Sequence, residues 1–312
     1  MQTRIPAIIL ILLLAPACDA DGPGTQWDAL DTGFDPALDA AGDPVSDAAE
    51  DAPADPAVDV PADTPADTGT DPMPDDGCLH PDPAGGYDPS GGSGGSTGPG
   101  GTWDYSASSG SRHVFVYIPT SYAPDVTASP VIFLFNEEIG DWRAIADGDG
   151  IILVDLDEYN DVEAYVDKLN AVATDLEAGY NVDRARYYWA GWSAGGNIVV
   201  MLGAGNQDFL AGTMVFPGTG GDYARTDLEA RSTAHASDPC LHMMAMFYAC
   251  GSADPNYDYG VPVQYEANAW RDWFGYETTF VLVEGSNHYI SETTHHIRQQ
   301  AWDWIEDHNL YN

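Results

Sequence analysis

The chain has 312 residues, and its 50 acidic side chains outnumber the 10 basic ones, giving a formal net charge of −40. This balance argues against nucleic acid as a partner and against docking on an anionic membrane through a basic patch, because both need clustered Lys and Arg. The charge is uneven. Residues 19–76 hold 17 acidic and no basic side chains, whereas residues 77–312 have a net charge of −24 and enough apolar residues to bury a core. We therefore expect one folded domain behind a long acidic segment.

Residues 1–17 have the pattern of a secretory signal peptide. Arg4 is the positive charge, Ile8 to Leu14 form an unbroken apolar run, and Ala15-Pro16-Ala17 is an A-x-A cleavage site. The run is too short to span a bilayer, which needs about 20 apolar residues. Cys18 follows directly and resembles the acylated cysteine of bacterial lipoproteins. We expect an exported protein whose only membrane contact is this lipid anchor; cleavage that leaves a free Cys18 on a secreted protein is the alternative.

Residues 18–101 are predicted to be a disordered linker. From Asp31 to Asp75 an Asp recurs every four residues, and eight prolines lie among them. A helix would stack these like charges on one face, and the prolines would break it. A calcium-binding repeat is disfavoured because the glycines that turn a calcium loop are absent from the period. A second flexible stretch rich in Gly and Ser covers Gly85 to Gly101, so the packed domain is predicted over 102–312.

The domain alternates β-rich runs with helical patterns. The runs are often continuously apolar, which is typical of parallel strands buried on both faces. Predicted strands are His113–Ile118, Val131–Phe135, Ile151–Leu156, Arg186–Trp192, Gly212–Phe216, Met243–Cys250 and Thr279–Val283. Predicted helices are 160–179, Ala194–Gly203, Val263–Phe274 and Glu292–His308. This alternation predicts an α/β domain with a doubly wound, mostly parallel sheet.

One serine lies in a pattern that carries chemistry. Gly191 to Gly195 read G-x-S-x-G, between a β-rich run and an apolar helix. In this arrangement Ser193 occupies a sharp strand-to-helix turn, where its neighbours Gly191 and Gly195 must lack side chains. The turn aims the N-terminus of the helix at the serine, so the Ala194 N–H would face a developing oxyanion. The pattern predicts a nucleophile on an α/β-hydrolase fold.

A nucleophilic serine needs a histidine base and an acid, which follow it in the order Ser, Asp, His on this fold. Asp254 follows the strand Met243–Cys250, and His288 follows the last strand. Both therefore lie beyond carboxyl ends of strands, where open α/β sheets place their sites. We predict the triad Ser193, Asp254 and His288.

Other residues compete for these roles. Asp258 is further from its strand, and His295 and His296 fall within the last helical pattern. His235 and His242 precede the strand that leads to Asp254. A histidine metal site is disfavoured because adjacent helical residues point in different directions.

The stretch Tyr180-Asn181-Val182-Asp183-Arg184-Ala185-Arg186 leading into the G-x-S-x-G motif resembles the secreted polyhydroxybutyrate depolymerase and feruloyl/acetylxylan esterase-like group of α/β hydrolases. The resemblance covers roughly Arg112 to His308. It implies the α/β-hydrolase fold and gives Ser193, Asp254 and His288 the roles of nucleophile, acid and base. Gly-Ser-Ala-Asp at Gly251 to Asp254 replaces the family's usual Gly-Thr-x-Asp.

The chain departs from that family after the strand Val131–Phe135. The family has a His-Gly pair whose backbone supplies the second oxyanion donor, whereas this chain reads Asn136-Glu137-Glu138. The donor is expected at the N–H of Asn136 or Glu137, but a carboxylate beside an oxyanion would oppose its charge. Losing one such donor typically costs about 10²–10³ in kcat. A catalytically impaired pseudo-hydrolase that only binds its partner is therefore the second hypothesis.

Three cysteines remain besides Cys18, in an oxidising context that permits disulfides. Cys240 and Cys250 flank a strand and would be about 30 Å apart, too far for a bridge. We predict the disulfide Cys78–Cys240.

The sequence thus predicts an exported serine esterase that acts through an acyl-enzyme without a metal or organic cofactor. Its expected partner is an ester substrate, either a polyester or acyl or aryl esters on polysaccharide. A peptidase is the weaker third hypothesis.

Overall fold

The computed structural model describes residues 92–95, 101–106, 113–156 and 162–310. The signal peptide, Cys18, the Asp repeat and Cys78 lie outside these ranges, so the predictions made for them stay predictions. Within the described ranges, no helix combines the length and the apolar character needed to cross a membrane.

Within the described residues, eight strands form one sheet. They are β1 (Gly101–Ser106), β2 (His113–Ile118), β3 (Ser129–Phe135), β4 (Ile152–Asp155), β5 (Val182–Trp192), β6 (Gly212–Phe216), β7 (Ala245–Gly251) and β8 (Thr278–Val283). Their order across the sheet is β1-β2-β4-β3-β5-β6-β7-β8. β2 pairs antiparallel with β1 and β4, and the six strands β3 to β8 run parallel to one another. This is the doubly wound, mostly parallel sheet of the α/β-hydrolase fold, as predicted.

In the described part of the chain, seven α-helices and one 3₁₀ helix accompany these strands, and the last two α-helices follow β8. The α-helices are α1 (Ile139–Asp149), α2 (Val162–Gly179), α3 (Ala194–Ala204), α4 (Gly221–Ser237), α5 (Val261–Phe274), α6 (Glu292–His295) and α7 (Ile297–Ile305). The 3₁₀ helix Pro255–Gly260 follows β7. The single helix predicted over Glu292–His308 is wrong, because His296 has a φ of 50° and separates α6 from α7.

The core lies on both faces of the sheet. Alternate residues of β3 belong to different clusters: Val131, Phe133 and Phe135 pack on one face, whereas Ile132 and Leu134 pack on the other. Helices α2, α3, α4 and α5 cover the first face, and α1 and α7 cover the second. Every residue of β3 is buried, which explains its continuous apolar run.

Part of the stretch expected to be flexible packs on the domain. The Ser93 N–H donates to the Val182 carbonyl at 2.8 Å, and the Ser93 hydroxyl donates to the Tyr180 carbonyl at 2.5 Å. A Cβ on Gly95 would lie 2.4 Å from the Tyr180 carbonyl oxygen. Gly92 and Gly95 therefore need to lack a side chain for close packing, whereas a Gly/Ser composition alone predicts only flexibility.

Candidate active site

Ser193 lies on a strained turn between β5 and α3. It has a φ of 55° and a ψ of −117°, a conformation that non-glycine residues rarely adopt. Such strain persists only where the surrounding structure holds it, and it is concentrated at functional sites. The strand, the turn and the helix are those that the G-x-S-x-G motif predicts.

The turn is held between the ends of β3 and β6, the two strands that pair with β5 on either side. A Cβ on Gly195 would lie 1.8 Å from the carbonyl oxygen of Phe135, the last residue of β3. A Cβ on Gly196 would lie 2.5 Å from the carbonyl oxygen of Pro217, directly after β6. A Cβ on Gly191 would meet the backbone of Gly195 at 2.5 Å. Glycine at these positions is therefore a packing requirement.

The structure brings the three predicted triad side chains together. His288 Nε2 lies 2.8 Å from Ser193 Oγ, and His288 Nδ1 lies 2.8 Å from Asp254 Oδ2. The Asp254 side chain is fully buried, and its other oxygen, Oδ1, accepts the Asn256 N–H at 2.9 Å. An imidazole between a hydroxyl and a buried carboxylate can take a proton from the hydroxyl while the carboxylate fixes its orientation.

Aromatic rings hold His288 in this position. The indole N–H of Trp192 donates to the His288 carbonyl at 2.9 Å, and the two ring centroids are 5.1 Å apart. The ring of Tyr257 stacks on the imidazole with a centroid distance of 5.7 Å and an interplanar angle of 13°. Tyr289 packs edge-on against Trp192 at 5.9 Å. The histidine and Trp192 are therefore surrounded by aromatic side chains.

The competing residues lie elsewhere. Asp258 has a φ of 42° within the 3₁₀ helix, and Asp254 occupies the histidine's Nδ1 in its place. His235 Nδ1 and His242 Nε2 lie 2.7 and 3.1 Å from the carbonyls of Leu241 and Leu210. In the described part of the chain, no group of three His, Cys, Asp or Glu side chains is arranged to hold a metal ion.

The backbone turn after β3 lies against the serine turn. Asn136 has a φ of 53°, and its amide Nδ2 donates to the Trp192 carbonyl at 3.1 Å. The contact between Gly195 and Phe135 joins the same two turns. Ala194 is the first residue of α3, so its N–H has no carbonyl partner within the helix. The N–H groups expected to bind an oxyanion therefore come from two segments that touch.

The carboxylate of Glu137 is buried in an ion pair, which removes the conflict expected from the sequence. Its two oxygens accept from Nη2 and Nε of Arg298, both at 2.8 Å, and Oε2 also accepts the Trp142 indole N–H at 3.1 Å. Burial raises the pKa of Glu137, and Arg298 opposes that rise. Because a guanidinium is always protonated, it offsets the negative charge that would act against an oxyanion.

Arg298 also reaches the loop that carries His288. Its Nη1 donates to the Ile290 carbonyl at 2.7 Å, and its Cζ lies 5.6 Å from the Tyr289 ring centroid. Tyr289 in turn donates a hydrogen bond to Asp141, whose Oδ2 is 3.5 Å from Arg298 Nη2. The Arg298 side chain is 1% exposed. One buried guanidinium thus joins the turn after β3 to the histidine loop.

Sequence reasoning did not find Arg298. Arg298 stands beside Ile297 and one turn before Ala301 and Trp302, on the buried face of α7. A charge on such a face needs a buried partner. The position of Arg298 was therefore the sequence signal for a buried acidic partner. Nothing in the sequence names Glu137 as that partner.

The two cysteines in the described ranges differ in state. Cys240 is disulfide-bonded, whereas Cys250 is a buried free thiol. The bridge between Cys240 and Cys250 is therefore absent, in agreement with the distance argument. The predicted pairing with Cys78 stays a prediction, because Cys78 lies outside the described residues.

No family model matches the chain, and no curated protein matches its sequence. Solved structures with a similar fold include Est1E from Butyrivibrio proteoclasticus, with 14% identity, a TM-score of 0.45, and coverage of 66% of this chain and 98% of that one. An esterase from Thermogutta terrifontis has 17% identity, a TM-score of 0.47, and coverage of 66% and 94%. Dipeptidyl peptidase 4 of Porphyromonas gingivalis has 15% identity, a TM-score of 0.48, and coverage of 67% and 35%. At these identities, the function of the chain is inferred from its own site.

The first prediction concerns the space around the serine turn. Replacing Gly195 with Ala forces a methyl group into the Phe135 carbonyl, so the turn must move. A displacement of about 1 Å in an active site can cost 10²-fold in rate, and we expect a loss of about that size in any Ser193-dependent turnover. Gly140→Ala is the matched control, because a Cβ there meets nothing within 4 Å. Equal activity of both variants contradicts the prediction.

The second prediction concerns the buried ion pair. Arg298→Met leaves the Glu137 carboxylate without its partner, which should cost about 3–5 kcal/mol of unfolding free energy in urea titrations. The double variant Glu137→Gln, Arg298→Met removes both charges and should lose less than the sum of the two single changes. Asp272→Asn breaks the exposed pair with Arg271 and should leave the midpoint unchanged. Additive losses would show that the two side chains are not coupled.

Proposed function

We propose that this chain is a serine hydrolase that cleaves carboxylic esters through an acyl-enzyme. The observation that carries the proposal is the hydrogen-bonded series from Ser193 Oγ through His288 to Asp254, with two 2.8 Å contacts at the C-terminal edge of a parallel sheet. The strained φ of Ser193 supports it, because that geometry serves a nucleophile and costs stability otherwise.

In acylation, Ser193 Oγ attacks the ester carbonyl while His288 Nε2 accepts its proton. Asp254, buried and fixed by the Asn256 N–H, holds the imidazole with Nδ1–H toward the carboxylate and offsets the charge of the imidazolium. The oxyanion is bound by the Ala194 N–H and by an N–H of the turn at Asn136 and Glu137. His288 then gives its proton to the leaving alcohol.

In deacylation, His288 takes a proton from water, which attacks the acyl carbonyl. The bond between the acyl carbon and Ser193 Oγ breaks, and the imidazolium returns its proton to the serine oxygen. The same oxyanion donors act in both halves of the reaction.

The substrate remains within the classes that the sequence suggests: a polyester, or acyl or aryl esters on polysaccharide. The aromatic lining by Trp192, Tyr257 and Tyr289 suits apolar or planar groups next to the scissile ester. No step in this mechanism requires a metal or an organic cofactor.

The hypothesis of an impaired pseudo-hydrolase rests on the acidic residues after β3. The pairing of Glu137 with Arg298 removes that motive, because the carboxylate is neutralised inside the protein. Glu138 is exposed. Active turnover is therefore the proposal that these contacts favour.

We also propose export, with Cys18 acylated as a membrane anchor, and secretion with a free Cys18 as the alternative. Mass spectrometry of the mature N-terminus tests this directly. A diacylglyceryl modification on Cys18 is the expected result, and an unmodified cysteine would exclude the anchor.

The central experiment combines a fluorophosphonate probe with a panel of p-nitrophenyl esters. We expect the protein to be labelled and to turn over short-chain esters. Ser193→Ala should abolish labelling, and both Ser193→Ala and His288→Ala should lower kcat by about 10⁴-fold or more. Ser237→Ala, an exposed serine on α4, is the control and should behave as the unsubstituted protein. Ester turnover that survives Ser193→Ala would falsify the mechanism.

A further inference from the structure

Two aromatic side chains beside the triad are exposed to solvent and yet held in place. Tyr289 directly follows His288 and is 43% exposed, and Trp192 directly precedes Ser193 and is partly exposed. The ring centroids of Trp192 and Tyr289 lie 5.9 Å apart, and that of Trp192 lies 5.1 Å from the His288 imidazole. The proposed base therefore borders an accessible aromatic surface formed by Trp192 and Tyr289.

Hydrogen bonds fix both rings before any ligand binds. The Trp192 indole N–H donates to the His288 carbonyl at 2.9 Å. The Tyr289 hydroxyl donates to Asp141 Oδ2, and the Arg298 guanidinium lies over the Tyr289 ring with Cζ 5.6 Å from its centroid. A side chain that is already ordered loses little conformational freedom when it binds a ligand, so its contacts contribute more fully to binding. The aromatic surface is thus preorganised.

The proposed chemistry determines which half of an ester lies beside this surface. His288 Nε2 takes the proton of Ser193 Oγ, 2.8 Å away, and then gives it to the oxygen of the leaving alcohol. That oxygen must therefore lie within hydrogen-bond distance of Nε2. The carbonyl oxygen lies on another side of the reacting carbon, toward the Ala194 N–H. Side chains that touch the imidazole therefore border the alcohol half of the ester.

We propose that Trp192 and Tyr289 form a subsite for the alcohol half of the ester, and that this subsite takes a six-membered ring. The inference rests on the proposed ester hydrolysis and deepens it by naming the shape of the leaving group. In an ester on polysaccharide the alcohol is a sugar ring, whereas in a linear polyester it is an alkyl chain. The subsite therefore favours the first of these two substrate classes.

Packing against a flat surface favours a ring over a chain for two reasons. The face of a ring makes broad contact with an indole or a phenol, and pairs of aromatic rings gain further stabilisation from their geometry. A linear chain has many rotatable bonds, and it loses their freedom when it is held against the surface. A ring with the same number of carbon atoms has few such bonds and loses less entropy.

The test compares acetates that differ only in the alcohol. Benzyl, cyclohexylmethyl and n-heptyl acetate are esters of primary alcohols with the same number of carbon atoms, and all three form the same acetyl-enzyme. Differences in kcat/KM therefore report how the alcohol half is bound during acylation. We expect both ring-containing acetates to exceed the heptyl ester by about 3- to 10-fold.

Variants of the two aromatic residues connect this preference to the subsite. Tyr289→Leu and Trp192→Leu each remove a ring and should lower the ratio of benzyl to heptyl turnover by about 3-fold or more. Tyr289→Phe keeps the ring and loses only the hydroxyl bonded to Asp141, so it should keep the ratio whatever happens to the two rates together. Tyr265→Leu removes an exposed ring on α5 and should leave both rates unchanged.

A sugar acetate and a series of acyl groups complete the test. If methyl 6-O-acetyl-glucoside loses turnover in Tyr289→Leu by the same factor as benzyl acetate, the ring is that of a sugar. A loss with benzyl acetate alone assigns an aromatic alcohol. The p-nitrophenyl esters of acetate, butyrate and octanoate share one alcohol, so Tyr289→Leu should lower their turnover by one common factor.

Three results overturn the subsite. They are equal kcat/KM for the ring-containing and heptyl acetates, an unchanged ratio in Tyr289→Leu, and a changed order of preference among the p-nitrophenyl esters. If turnover depends on Ser193 in those cases, the ester hydrolase stands without the subsite. If no ester shows Ser193-dependent turnover, the proposed function fails, and the subsite fails with it. Circular dichroism melting shows whether each variant keeps the fold.

Discussion

The site depends on how closely three backbone segments approach one another. The carbonyl oxygen of Phe135 would lie 1.8 Å from a Cβ on Gly195, and that of Pro217 would lie 2.5 Å from a Cβ on Gly196. These contacts force Ser193 into a left-handed conformation and hold it there. They also bring the turn at Asn136 next to the start of α3. The proposed nucleophile and the proposed oxyanion donors are therefore positioned by one backbone packing constraint.

The negative charge of Glu137 is the second constraint, and a nearby arginine offsets it. The protein is strongly acidic, and Glu137 lies in the turn that we propose binds an oxyanion. Burying that glutamate with Arg298 converts a repulsive group into part of a neutral pair that spans the turn after β3 and the histidine loop. Such pairs add little net stability, but breaking one is costly. The pair is therefore better understood as fixing the relative position of two loops than as strengthening the fold.

Much of the fold and the triad followed from the sequence, because both depend on local patterns. β2 and β6 match their predicted bounds, and the order Ser193, Asp254, His288 follows from strands that end at one edge. Helix α4 was missed because only Ala224 and Leu228 are buried on it, so it has no apolar period. The partners of Glu137 and Tyr257 were out of reach for another reason. Each contact joins segments that are distant in the chain, and no local sequence pattern predicts such a contact.

The Glu137–Arg298 contact also affects the order in which parts of the chain can fold during synthesis. The two residues are 161 positions apart, and most of the sheet is synthesised between them. Until α7 has docked, the glutamate has no counter-ion, and burying it alone is unfavourable. An incomplete chain should therefore keep the turn after β3 open to water.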